Sequence, residues 1–150
     1  MKELDFQARL VKETRLHNGF GFKIATRHQG GIPDLFIKWP QYEGVFIECK
    51  KAASSKLELG LTALQKETIE RLISSGQPVG WAMLYEPSNV KKVVYVGSDP
   101  HVKQVIPSVN CDLHTMSSGG GSALATPWPV DEVVKSILYW NESARKKYAR

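Results

Sequence analysis

The chain is poor in cysteine. Its 150 residues include only Cys49 and Cys111, too few for the disulfide framework that staples small secreted domains, and a reducing, cytoplasmic setting is expected. No apolar run approaches the roughly 20 residues of a membrane-spanning helix, and no secretory apolar segment opens the chain. The four histidines, His17, His28, His101 and His114, are scattered without the spacing of zinc ligands. The glycine-rich run "GGGSALAT" lacks the Gly-Lys-Ser/Thr ending of a phosphate-cradling loop, so nucleotide hydrolysis has no support and no nucleotide cofactor is expected. No segment repeats. These absences argue against a secreted scaffold, a membrane protein, a zinc protein and a nucleotide-hydrolysing enzyme.

What remains is an ordinary globular composition, 42% hydrophobic and 23% charged, over a length that suits one domain. The net charge of +5 admits a polyanionic partner without requiring one. Residues 2–16 are rich in helix formers, with Leu4, Ala8 and Val11 at helical spacing beside Phe6 and Leu10. Phe20–Thr26 alternates as a strand with Phe20, Phe22 and Ile24 on one face. "PDLFIKW" and "GVFIECK" are two more strands around a "PQYE" turn. Thr62–Ser75 is the clearest helix, apolar along Leu61, Leu64, Thr68, Ile69, Leu72 and Ile73, with Lys66–Glu70 and Glu67–Arg71 spaced as ion pairs. Val79–Tyr85 and Lys91–Gly97 are strands, 98–129 is irregular and rich in Gly, Ser and Pro, and Val130–Tyr148 is helical again. The expected order is α-β-β-β-α-β-β-loop-α, with a core over 1–97 and a C-terminal helix over 130–149.

The second and third strands each carry an acid, Asp34 and Glu48. A hairpin centred on Gln41 sets these two residues directly opposite each other on one face, with Cβ atoms roughly 5 Å apart. Lys50 projects from that face as well, while Val45, Ile47 and Cys49 turn to the other side. Like charges opposed in a sheet repel, and burial worsens the repulsion. Lys50 supplies one compensating charge; a divalent cation is the stronger one. Two carboxylates with water and a backbone carbonyl form the oxygen shell that Mg²⁺ prefers. Such a metal activates water and polarises a phosphoryl oxygen, and a neighbouring ammonium stabilises the developing charge. The chemistry suggested is metal-assisted phosphodiester hydrolysis. The same residues equally suit a strand that starts at a turn and shows a solvated polar face.

Gly31-Ile32-Pro33-Asp34 followed by Glu48-Cys49-Lys50 resembles the signature of the PD-(D/E)XK nuclease superfamily, whose core order is α-β-β-β-α-β. Leu61–Met83 is similar to the segment after the lysine in its VRR-NUC and Holliday-junction-resolvase-like branches, where a glutamine in the place of Gln65 faces the active site. Glu3-x-x-x-Gln7 resembles their first-helix motif. The resemblance implies a restriction-endonuclease-like α/β fold with a mixed central sheet, an extra strand and a C-terminal helix, as one nuclease domain over 1–150. It implies Mg²⁺, replaceable by Mn²⁺, held by Asp34, Glu48 and the Cys49 carbonyl, with Glu3 at a second metal or its water shell. Lys50 would contact the attacking water or the phosphate, and Gln65 would align Lys50 or the phosphate. Thr62 and Gln65 also fit a helix capping box, Glu3 fits a first-turn acid, and Gln7 fits the surface.

The implied activity is that of a structure-selective endodeoxyribonuclease on branched or duplex DNA, working as a homodimer, in the style of small phage-encoded enzymes. No DNA-reading domain is apparent beyond the core. Lys23, Arg27, His28, Lys51, Lys146 and Lys147 are the candidate DNA contacts. The alternative is a nucleic-acid-binding or packaging factor that keeps the fold without catalysis, against which the intact Asp34, Glu48 and Lys50 argue.

Overall fold

The computed structural model describes residues 1–24, 30–53, 56, 58–88, 91–102, 112–117 and 130–149. The elements run α1 (Glu3–Leu16), β1 (Phe20–Lys23), β2 (Leu35–Lys38), β3 (Val45–Lys51), α2 (Ala63–Ser74), β4 (Val79–Ser88), β5 (Lys91–Gly97), β6 (Asp112–Ser117) and α3 (Val130–Tyr148). The fold is α/β, built on an open mixed sheet in the order β1-β2-β3-β4-β5-β6. All neighbours are antiparallel except β3 and β4, whose parallel pairing needs the crossover that α2 provides. The strand β6 corrects the expectation of irregular chain over 98–129; His114–Ser117 pair in succession with β5, and Asp112 after a register shift, although the surrounding sequence is rich in proline and glycine.

Two apolar layers sandwich the sheet. On one face α1 and the first half of α3 bury Phe6, Leu10, Val133 and Ile137 against Leu35, Ile37, Val45, Ile47 and Cys49. On the other, α2 buries Ile69 and Ile73 against Val79, Trp81 and Met83. The C-terminal helix is pinned by Asn141, whose Nδ2 donates to the Val79 carbonyl at 3.3 Å and to Ser98 Oγ at 3.2 Å.

The buried stripe of α1 is not the expected one. Phe6, Leu10 and Thr14 are fully buried with Gln7 and Val11 beside them, whereas Leu4 is 60% exposed. Both stripes have helical spacing, and the larger Phe6 takes the sheet because it removes more apolar surface from water. In α2, Leu64 is half exposed although it lies on the expected apolar stripe. Of the two expected ion pairs there, Glu67–Arg71 forms at 2.8 Å, while Glu70 instead meets His101.

The β2–β3 hairpin keeps the expected register: Leu35 faces Ile47, Phe36 faces Phe46 and Ile37 faces Val45. Gln41, at its centre, adopts a positive φ of 72°, and the backbone closes with Tyr42 N–H donating to the Trp39 carbonyl at 3.2 Å. Replacing the core residue Ile47 with alanine should cost roughly 2–5 kcal/mol in urea denaturation, while Leu4→Ala, on the stripe that faces solvent, should stay within about 0.5 kcal/mol.

Candidate active site

Asp34 lies one residue before β2, and its carbonyl accepts from Ile24 N–H at 2.7 Å, which ties the acid's loop to the β1 edge. Gly31 shapes the approach. Its φ of +89° lies in the left-handed region, and a Cβ there would meet Leu64 at 2.8 Å, so glycine lets the loop turn while resting on the first turn of α2. From this position Asp34 Oδ2 accepts the Cys49 amide at 2.9 Å. A strand residue presents its N–H and C=O to the same neighbour, so the Cys49 carbonyl turns toward Asp34 too. The Cys49 side chain points into the core, as alternation requires, and burial pushes its thiol well above the usual range, with the charges of Asp34, Glu48 and Glu3 adding to the effect.

Glu48 is the centre of the site. It is 2% exposed, on the sheet face that α2 covers. Its Oε1 accepts from Gln65 Nε2 at 3.2 Å, and its buried Oε2 has no donor. Burial pushes its carboxyl up to about 9; the nearby Asp34 pushes the same way, Lys50 opposes, and Glu3 adds a smaller rise. A proton retained on Glu48 relieves the like-charge contact with its close carboxylate neighbour. Asp34, Glu48, Lys50, Glu3 and Gln65 therefore form one electrostatic ensemble at the β2–β3 hairpin.

Both roles weighed for Gln65 coexist in one side chain. Thr62 Oγ1 accepts from Gln65 N–H at 3.1 Å, Gln65 Oε1 accepts from Thr62 N–H at 2.9 Å, and the amide nitrogen remains free for Glu48. The capping box fixes the amide's orientation, leaving its donor end toward the acid. Gln7 corrects the surface expectation: it is 3% exposed, with Oε1 unpaired. Its position one turn after Glu3 was the signal, since residues four apart share a helix face.

The proposed DNA contacts do not converge on the carboxylates. Lys51 pairs with Glu86 at 3.2 Å, and Lys147 donates to Asp99 Oδ2 at 2.9 Å, so both charges are already engaged within the chain. Lys146 is exposed near the end of α3, and Lys23 is exposed on β1 with its side chain on the α1 side of the sheet. Arg27 and His28 lie outside the described residues.

The oxygen donors suit a hard divalent cation, and the unpaired Glu48 oxygen is the atom that such an ion would satisfy. Among the described residues no three His, Cys, Asp or Glu side chains gather as a metal cluster, so the candidate set is two carboxylates and a backbone carbonyl. No helix among the described residues is long and apolar enough to cross a membrane. No protein-family model matches the chain, and no curated protein matches it.

Because the folded carboxyl holds its proton to about 9 and the unfolded one only to about 4.5, the proton stabilises the metal-free fold fully below pH 4.5. That contribution is lost as pH rises through 9. Metal-free wild type should therefore lose unfolding free energy between those limits, and Glu48→Gln should remove most of this slope, read from urea curves at several pH values.

Proposed function

We propose that the chain is a Mg²⁺-dependent nuclease of the PD-(D/E)XK type, hydrolysing phosphodiester bonds at Asp34, Glu48 and Lys50. The observation that carries the reading is the buried Glu48 beside the half-buried Asp34, with one Glu48 carboxylate oxygen unpaired and Lys50 next along the same strand face. A protein whose only need was a stable sheet gains nothing from burying one acid beside another; such pairs belong to functional sites. The order α-β-β-β-α-β, with an antiparallel hairpin followed by a parallel strand, supports a restriction-endonuclease-like core.

In this reading Asp34, Glu48 and the Cys49 carbonyl hold the metal, and Glu3 serves its water shell or a second ion. When bound, the ion supplies Lewis-acid polarisation of the phosphoryl oxygen and a water of lowered pKa. Lys50 places a positive charge at the scissile phosphate. Gln65 holds the Glu48 carboxylate in place from the rigid first turn of α2. The substrate favoured is branched or otherwise irregular DNA, the working unit a homodimer, and the compartment the cytoplasm.

Purified protein should nick supercoiled plasmid or cut a four-way DNA junction with Mg²⁺ or Mn²⁺ and not with EDTA. Asp34→Ala and Lys50→Ala should each be at least about a hundredfold slower. Tight binding without cutting under either metal would leave a non-catalytic nucleic-acid-binding factor in its place. Loading the metal also displaces the Glu48 proton, so below the carboxyl's value of about 9 Mg²⁺ affinity should rise by about tenfold per pH unit. Calorimetry in buffers of different ionisation enthalpy measures the released proton directly.

A further inference from the structure

The sheet face that carries Glu48 and Lys50 continues toward the β1 edge as a row of phenylalanines. Opposed residues of an antiparallel pair share a face, so the register sorts them: Phe20 faces Lys38, Phe22 faces Phe36, and Phe36 faces Phe46. On β3 the same face then runs Phe46, Glu48, Lys50. Successive ring centroids lie 5.6, 5.7 and 5.2 Å apart from Phe20 through Phe22 and Phe36 to Phe46. Exposure grows outward. Phe36 and Phe46 are half-buried, Phe22 is 39% exposed and Phe20 is 62% exposed.

The strand's own packing does not ask for those rings. β1 meets the core with its other face, where Gly21 rests against Ile37 and Thr14. Two large aromatics held at an open edge beside a candidate active site mark a place for something else to bind.

The rest of the face says what. Among the described residues of β1, β2 and β3, its charged groups are Lys38, Lys50 and the single acid Glu48, already placed in the site. Lys38 is half-buried, with its ammonium donating to the Trp39 carbonyl at 3.2 Å. Rings flanked by cations suit a nucleic-acid strand: the bases stack and the phosphates meet ammonium groups. The platform is also continuous with the site. At about 3.3 Å per residue, Phe36 and its neighbour Phe22 lie roughly 7 Å along the sheet from Asp34, and Phe20 roughly 13 Å.

We infer that Phe20 and Phe22 form a stacking platform for unpaired nucleotides next to the phosphate that is cut. A paired base has both faces stacked within its duplex and cannot lie on these rings, whereas an unpaired base can. The inference rests on the nuclease reading for the meaning of "next to the cut", while base stacking itself is measured by binding alone.

The test uses the full chain in EDTA, with a fluorescein-labelled oligothymidylate and a labelled duplex of the same length as probes. Phe20→Ala and Phe22→Ala should each weaken single-strand binding by about tenfold and leave duplex binding unchanged. Phe20→Leu with Phe22→Leu, which keeps an apolar edge and removes the rings, should weaken it as well. Unchanged single-strand affinity in the leucine variant, equal losses for both probes, or no single-strand binding by wild type would each overturn the platform. So would a shift in sedimentation from dimer to monomer in these variants without any loss of binding, which would assign the edge to a second copy of the chain. Cleavage assays separate the two ideas. Phe-dependent binding without metal-dependent cutting keeps the platform and removes the nuclease; metal-dependent cutting with Phe-independent binding does the reverse.

Discussion

The pairing of β2 with β3 is the constraint on which the rest of the molecule depends. Setting Leu35 opposite Ile47 sends Val45, Ile47 and Cys49 into the core under α1 and leaves Phe46, Glu48 and Lys50 on the face beneath α2. A slip of one residue would exchange the two sets and put an acid and a lysine into the apolar layer, so the hydrophobic face holds the register firmly. The consequence is electrostatic. The force that buries Ile47 also carries Glu48 out of water, next to Asp34, where its charge would not settle unaided. The fold softens that repulsion with a proton retained on Glu48, the Gln65 amide and the neighbouring Lys50.

The second helix converts this tension into a defined geometry. Its capping box spends Gln65's oxygen on the helix end and leaves the nitrogen for Glu48, so helix position and acid orientation are linked through one side chain. Gly31 completes the arrangement by letting the Asp34 loop rest on Leu64 of the same helix turn. Both acids are thus held by α2, one through a hydrogen bond and the other through the loop that precedes it. Preorganisation of this kind is what electrostatic catalysis requires, because groups already in place need no reorganisation when charge develops.

Much of this was legible in residue order. The Gln41-centred hairpin, the inward thiol of Cys49 and the Thr62–Gln65 cap follow from alternation, turn length and a four-residue motif, all local. Other features misled for a physical reason. On α1, Leu4 and Phe6 offered competing stripes of equal periodicity, and only the sheet's shape chose between them. Gln7, polar and expected in solvent, went inward with the winning stripe. Lys51 and Lys147 looked available for phosphates, yet each meets a carboxylate distant in sequence, Glu86 or Asp99. Strand β6 was hidden because its pairing energy comes from β5, which composition does not register.

The sequence by itself determined which face each strand residue takes and which acid opposes which, since pleat and turn length act between near neighbours. Only the tertiary structure decided how dry Glu48 would be, that Gln65 would reach it with Glu3 close enough to be felt, and that Phe20 and Phe22 would stay in the open. Those outcomes depend on which helix covers which strand. Coverage is settled by competition among apolar surfaces far apart in the chain, so no local pattern encodes it.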